Sequence, residues 1–205
     1  MTNAVIDALE NRRTTNIFDA SRDIDDAQVT ELVRLATRAP TAFHLQNWRF
    51  IAVKSPEGKA RLRKIAFDQP KVTEAAVTFI VVGQLASHLV LADRLASSVA
   101  AGFMPAEVVS GWEGAAKVLY FEQPQTQRDE AVRTATFGAG ALMFAAQAQG
   151  LGSSPMIGFD AAAVAEQFGL AADEVPVVLV TVGYPAEGNW PQKPRRAVDE
   201  LLSFA

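Results

Sequence analysis

Apolar residues along this chain keep two spacings, and the switches between them mark its elements. Val5, Ile6 and Leu9 share one side of a short helix that ends near Asn11. A second helix starts around Asp25, where Gln28 three residues on makes a capping-box-like pair. Val29, Leu32, Val33 and Ala36 form its apolar stripe, and Pro40 ends it. Residues 41–47 read as a loop and residues 48–53 as a strand. Ser55-Pro56-Glu57-Gly58 turns into a helix carrying Leu62 and Ile65. Residues 77–83 are apolar on both faces, which predicts a central strand. Residues 86–101 and 106–120 are helical with a weak stripe.

A polar stretch follows at 121–127, with Pro124 inside it, and then a long helix from about Arg128 to Gln149. Its second half, 137–146, is apolar around the whole circumference, the mark of a helix buried on all sides. Gly150-Leu151-Gly152 closes it. Residues 153–158 form a short apolar loop, and Asp160 caps a helix through Phe168. Residues 177–182 are a strand ended by Gly183. The tail from Tyr184 is rich in proline and tryptophan and extended, until a last turn near 198–202. No repeat, low-complexity tract or linker interrupts the pattern, so residues 1–205 are expected to form a single α+β domain.

Composition narrows the class. Hydrophobic residues make up 49%, enough for a large core. Charged residues make up 20%, under the usual share, which points to surface buried against a second subunit. The net charge of −4 repels polyanions, so no nucleic-acid partner is expected. The absence of cysteine excludes disulfides, thiol nucleophiles, thiolate zinc sites and cysteine-ligated iron–sulfur clusters. It fits a reducing cytoplasm. Residues 1–10 carry no cationic region followed by an apolar run, and the apolar stretches 77–83 and 175–183 are too short to span a bilayer. The expectation is a soluble cytoplasmic protein without a membrane partner.

Against this acidic background stand two small basic clusters, Arg12-Arg13-Thr14 and Lys193-Pro194-Arg195-Arg196. Each pairs guanidinium groups with a hydroxyl or a turn, which suits bidentate clamping of one phosphate if the fold joins the two ends. Residues 39–48 place a hydroxyl, an imidazole, two amides and two large aromatics between a helix and a strand. They read equally as a connection with an aromatic plug or as a wall for a flat heterocycle. His44 and His88 form no metal-ligand pattern, and no metal is expected. Asp25-Asp26 and Asp173-Glu174 read as caps or solvated charge. No G-x-G-x-x-G follows a strand and no phosphate loop of the G-x-x-x-x-G-K-[ST] type occurs; Gly138 and Gly140 lie mid-helix, where close packing explains them.

Four segments, in order, resemble the FMN-dependent nitroreductase family over nearly the whole chain. Arg12-Arg13-Thr14-x-Asn16-x-Phe18 is similar to its N-terminal Arg-Arg-Ser-x-Arg-x-Phe. Residues 39–50 resemble its Ala-Pro-Ser-Ser-x-Asn-x-Gln-Pro-Trp-x-Phe. Pro155-Met156-Ile157-Gly158-Phe159-Asp160 resembles the flavin-edge loop before a helix. Val182-Gly183-Tyr184 with the cluster at 193–196 resembles the closing strand and phosphate-binding tail.

The resemblance implies a central, mostly antiparallel sheet flanked by helices, in an obligate homodimer whose long buried helix lies at the interface. It implies FMN as cofactor, in two sites each built from both chains. Arg12, Arg13, Thr14, Lys193 and Arg195 would hold the phosphate and ribityl chain, with Asn16 beside them. Pro40, Thr41, His44 and Gln46 would meet the ribityl or ring, and Pro155, Met156, Ile157 and Gly158 one ring face, with the Gly158 N–H near N5. No side chain is implied as catalytic. Hydride would pass from NADH or NADPH through N5 to a small organic acceptor, a nitroaromatic or quinone, in a ping-pong cycle. Reduction of a small semialdehyde and flavin binding without turnover are the alternatives, and a dimeric interaction protein is a third. Asn16, His44, Asn47 and Ile157 depart from the family pattern and alter the pocket.

Overall fold

The computed structural model describes residues 3–205; Met1 and Thr2, which open the N-terminal stretch read above, lie outside the described residues. Four strands, β1 (Trp48–Val53), β2 (Val77–Gln84), β3 (Gly152–Met156) and β4 (Glu174–Gly183), form one antiparallel sheet in the order β1-β2-β4-β3. β2 is central, and its continuous apolar run is buried on both faces. Trp48 stands opposite Gly83, Gly83 opposite Val175, and Ser154 opposite Thr181.

Among the described residues, eight α-helices surround the sheet: α1 (Ala4–Asn11), α2 (Asp26–Ala36), α3 (Pro56–Ile65), α4 (Lys71–Glu74), α5 (Leu91–Ala100), α6 (Ala106–Tyr120), α7 (Pro124–Ala148) and α8 (Ala161–Gln167). Alternate residues of β2 serve opposite layers. Phe79 and Val81 pack with Leu32 of α2 and Leu142 of α7. Ile80 and Val82 pack with Leu62 of α3 and Val164 of α8. A third cluster, Leu45, Leu91, Leu95, Ala116 and Tyr120, fastens the α5–α6 hairpin to the loop before β1.

Local chemistry explains most boundaries. Asp25, Ser55 and Asp160 cap α2, α3 and α8 by accepting from the N–H groups of Gln28, Gly58 and Ala163. After α7, Gly150 adopts a φ of +72°; its N–H donates to Gln147 O and that of Leu151 to Ala146 O, a Schellman pair.

Five expectations need correction. α2 stops at Ala36, where the Thr37 hydroxyl bonds back to Arg34 O, so Pro40 does not end it. α7 begins at Pro124 rather than near Arg128, because proline at the first helical position loses no hydrogen bond. Residues 152–156 are an edge strand, not a loop; Pro155 is tolerated there because a sheet edge leaves one side unpaired. α7 is not buried all round: Gly138, Ala139, Leu142, Ala145 and Ala146 face the core, but Phe137 is 53% exposed and Ala141 and Phe144 are only half-buried. Glu174 is not solvated: its side chain is 3% exposed and accepts from Arg49 Nη1 at 2.6 Å and Ala171 N–H at 3.0 Å.

α7 crosses β2 at Gly83, where any Cβ would sit 2.3 Å from Ala131 O. Gly83→Ala must therefore push helix and sheet apart. We expect a loss of about 1–3 kcal/mol in stability, read as a lower urea midpoint at unchanged m-value.

Candidate functional site

The free edge of β3 organises one corner of the molecule. Residues 14–18 lie along it: Thr14 bridges Ser153 in parallel, and Thr15 N–H donates to Ser153 O at 2.9 Å. Gly152 is required there, since a Cβ would lie 2.3 Å from Thr15 Oγ1. The chain leaving β4 runs back against the same segment, with Phe18 bridging Pro185 and Asp19 N–H donating to Tyr184 O. The two ends of the chain thus meet. Thr14, Asn16, Trp190, Gln192, Lys193 and Arg195 line a small cavity of about 150 Å³. Gln192 Nε2 donates to Arg12 O at 3.0 Å. Lys193 Nζ lies 5.1 Å over the Trp190 ring. Arg12 Nη1 is buried with no acceptor. An unmet charged donor of this kind costs upwards of about 1–3 kcal/mol.

Asn16 also borders a second cavity of about 360 Å³, lined by Ile17, Gln69, Pro70, Lys71 and Glu74. Lys71 Nζ donates to Ser154 Oγ at 2.9 Å and lies 3.5 Å from Asn16 Oδ1, with no carboxylate among its partners. Burial pushes its ammonium below the ordinary lysine value of 10.5. Gln69 Nε2 donates to Gly158 O at 2.9 Å, and Phe159 N–H donates to Ile157 O at 3.0 Å. A planar trans peptide then turns the Gly158 N–H away from the bonded Ile157 carbonyl. Pro155 and Ile157 are exposed beside this turn, whereas Met156 points its side chain into the core under α3 and α8.

The loop at 39–47 occupies a different corner. Phe43, His44 and Gln46 hold φ values of +50°, +57° and +47°, a run of left-handed non-glycine residues costing about 1–3 kcal/mol each. Thr41 Oγ1 accepts from Gln46 N–H at 3.1 Å, and Gln46 Nε2 lies 2.9 Å from His44 Nε2. Phe43 packs edge-on against Trp112 and Tyr120, the aromatic plug. His44 borders a mainly apolar cavity of about 410 Å³ with Leu95, Phe103, Met104 and Trp112. Pro40 is exposed at the start of the loop.

The sequence-predicted residues therefore fall into two groups. Thr14, Asn16, Lys193 and Arg195 line one cavity, with Arg12 tied to Gln192 of its wall and Gly158 bonded to Gln69 of the adjoining one. Thr41, His44 and Gln46 share the other corner. Three strand spacings, about 14 Å, separate β1 from β3, and residues 175–181 of β4 add about 20 Å along the sheet. The corners are thus about 25 Å apart, beyond the reach of one tricyclic ring. Arg13 parts from Arg12: it lines a separate cavity with Gln147 and Gly150, at the end of α7. Lys71 and Gln69 went unnoticed in the sequence. A four-residue helix between polar residues carries no periodicity, and only the fold reveals a lysine without a countercharge.

A family model described as "Nitroreductase family" matches residues 9–184. The chain belongs to the nitroreductase family. It is 31% identical over 183 residues to a Bacillus subtilis protein named as the NAD(P)H nitroreductase YodC, covering 89% of this chain and 90% of that one. It is 32% identical over 169 residues to a protein of Thermus thermophilus named NADH dehydrogenase, covering 82% and 80%. Among solved structures, a protein of Exiguobacterium sibiricum named as a nitroreductase, in complex with FMN, superposes with a TM-score of 0.91 at 26% identity, over 100% of this chain and 99% of that one.

The unfolded chain holds the Lys71 proton more tightly than the folded one, so this residue costs stability below its folded pKa. The cost fades as pH rises towards 10.5. Because the group is only half-buried, Lys71→Met should raise the Tm of the ligand-free protein at neutral pH by about 1–2 °C. The gain should shrink above pH 10. A lower Tm at pH 7 would show that Lys71 is a structural prop instead.

Proposed function

We propose that this protein is an NAD(P)H-dependent FMN oxidoreductase that reduces a small organic acceptor such as a nitroaromatic or a quinone. The carrying observation is a cavity that joins Thr14 and Asn16 to the tail cations Lys193 and Arg195, next to Arg12, whose Nη1 is buried without a partner among the described residues and whose carbonyl accepts from Gln192 of the cavity wall. The donor set fits a phosphate monoester: Arg12, Thr14, Lys193 and Arg195 would hold it, as charge-assisted donors do. Asn16 and Lys71 would meet the polar edge of the ring, Pro155 and Ile157 its face, and Gly158 N–H its reacting edge. When bound, FMN supplies the ring position that takes hydride from NAD(P)H and yields it to an acceptor. The chain's own part is to bind, orient and bias. The Lys71 ammonium favours negative charge beside it, and the apolar neighbours keep water from the ring face. One open face receives donor and acceptor in turn, which is a ping-pong scheme. A cytoplasmic setting, where NAD(P)H is held, belongs to the same reading.

Two copies complete the site. The corner holding Thr41, His44 and Gln46 is too far from Arg12 to serve the same ring, so it would serve the ring of a partner. Val5, Ile6 and Leu9 of α1 and Phe137 of α7 are exposed apolar residues on surfaces that a second chain would cover. On this reading residues 1–205 act as one domain and the working unit is a homodimer.

The purified protein should absorb in the visible as a flavoprotein, and NADH or NADPH should bleach it at a catalytic rate. A colourless protein that cannot be reconstituted with FMN sinks the proposal. Arg12→Ala and Arg195→Ala should each weaken FMN binding by about 1.5–3 kcal/mol, or about 10- to 150-fold in Kd. Sedimentation equilibrium should give twice the 22.0 kDa of one chain; a monomer that turns over normally would refute the shared site.

A further inference from the structure

Lys193 and Arg195 can act on a phosphate only if the tail that carries them is held in place. Every residue from 190 to 205 is exposed, and Asn189 is the last half-buried one. Its side chain reaches 173 positions back. Asn189 Oδ1 accepts from Asn16 N–H at 2.7 Å and from Ile17 N–H at 3.1 Å. Asn189 Nδ2 donates to Ile17 O at 2.8 Å and to Ala186 O at 2.9 Å. Both lone pairs and both N–H groups of the amide are thus used, and only an amide offers that set at this length. Gly188, with a φ of +88° against Ile17 Cδ1, makes the turn that aims it. One further contact, Gln192 Nε2 to Arg12 O, ties the tail beyond.

We infer that Asn189 is a positioning residue for phosphate recognition. Its amide clips the C-terminal tail to the backbone of residues 16 and 17, and so sets Lys193 and Arg195 opposite Thr14 and Arg12. Asn189 itself touches no phosphate, since all four of its hydrogen-bonding positions are filled within the chain. The clip is local: Asn16 also faces Lys71, but Asn189 grips only its backbone N–H, so the ring end of the site does not depend on it. Losing the clip therefore removes the preference for a phosphorylated flavin while sparing the ring. This inference rests on the FMN reading above.

The test compares FMN with riboflavin, which shares the ring and ribityl chain but lacks the phosphate. Both are titrated into ligand-free wild type, Asn189→Ala, Arg195→Ala and the double variant, with flavin fluorescence as readout. In Asn189→Ala, FMN affinity should fall at least tenfold while riboflavin affinity stays within twofold. The double variant should lose little more FMN affinity than the worse single one, because both changes act through one contact. Equal weakening of both flavins would mean a merely structural role and overturn the inference. So would a full FMN preference in Asn189→Ala, or additive losses in the double variant. If Asn189→Ala does not fold, Asn189→Ser, which keeps one acceptor, must show the same selective loss in milder form. Wild type that binds neither flavin would instead overturn the FMN reading, and this inference with it.

Discussion

The corner that joins the two ends of this chain depends on one backbone arrangement: residues 14–18 held between the free edge of β3 and the chain returning from β4. Thr15 N–H on Ser153 O and Asp19 N–H on Tyr184 O fix that segment from both sides. Gly152 lets it approach, and Asn189 locks the returning strand onto it. The arrangement closes a loop of nearly the whole chain, an entropic cost that local contacts cannot recover alone. The sheet meets it, because β3 and β4 are themselves anchored on the fully buried β2. Core burial thus supports a polar site at the rim.

The rim is built at the expense of stability. Arg12 Nη1 lies buried without an acceptor among the described residues, Lys71 is desolvated without a carboxylate partner, and Phe43, His44 and Gln46 of one loop sit in left-handed backbone conformations. Each feature is unfavourable in the isolated chain. A structure under selection for stability alone would pair or remove such groups. Elsewhere the same chain pairs its charges: Arg49 meets Glu174, Lys54 meets Asp26, and Arg63 meets Asp68.

The legible parts of the sequence were those with local physics. The apolar run of β2, the caps at Asp25 and Asp160, the turn into a helix at Ser55, and the glycine after α7 each carry their reason within a few residues, and each is found in place. β3 was hidden because Gly152, Ser153 and Ser154 carry no β-branched or aromatic side chain and Pro155 reads as a breaker, which an edge strand tolerates. The start of α7 was hidden because Pro124 reads as a breaker unless the helix begins on it. Of the site, the two basic clusters and the loop at 41–46 were visible as unusual chemistry. Arg13 borders a different cavity from Thr14, because adjacent residues on an extended segment point to opposite sides. Lys71, Gln69 and Asn189 were invisible because nothing local marks them; what singles them out is a partner over fifty residues away, or a missing one.

The distance between the two corners also explains why the chain needs both of them. A two-fold axis exchanges surfaces in pairs, so whatever corner one copy offers, the other returns. If the loop at 41–46 of one copy covers the Arg12 corner of its neighbour, the reverse contact follows by symmetry, and two equivalent sites arise from one interface. The strained loop then has a purpose that a single chain cannot supply, and so do the open apolar residues of α1 and the outer side of α7. Phe137, left half-exposed on a helix whose other face is fully packed, costs hydrophobic energy in isolation and recovers it on burial. On the homodimer reading, the surface left open on one chain is the one that would complete the site of the other.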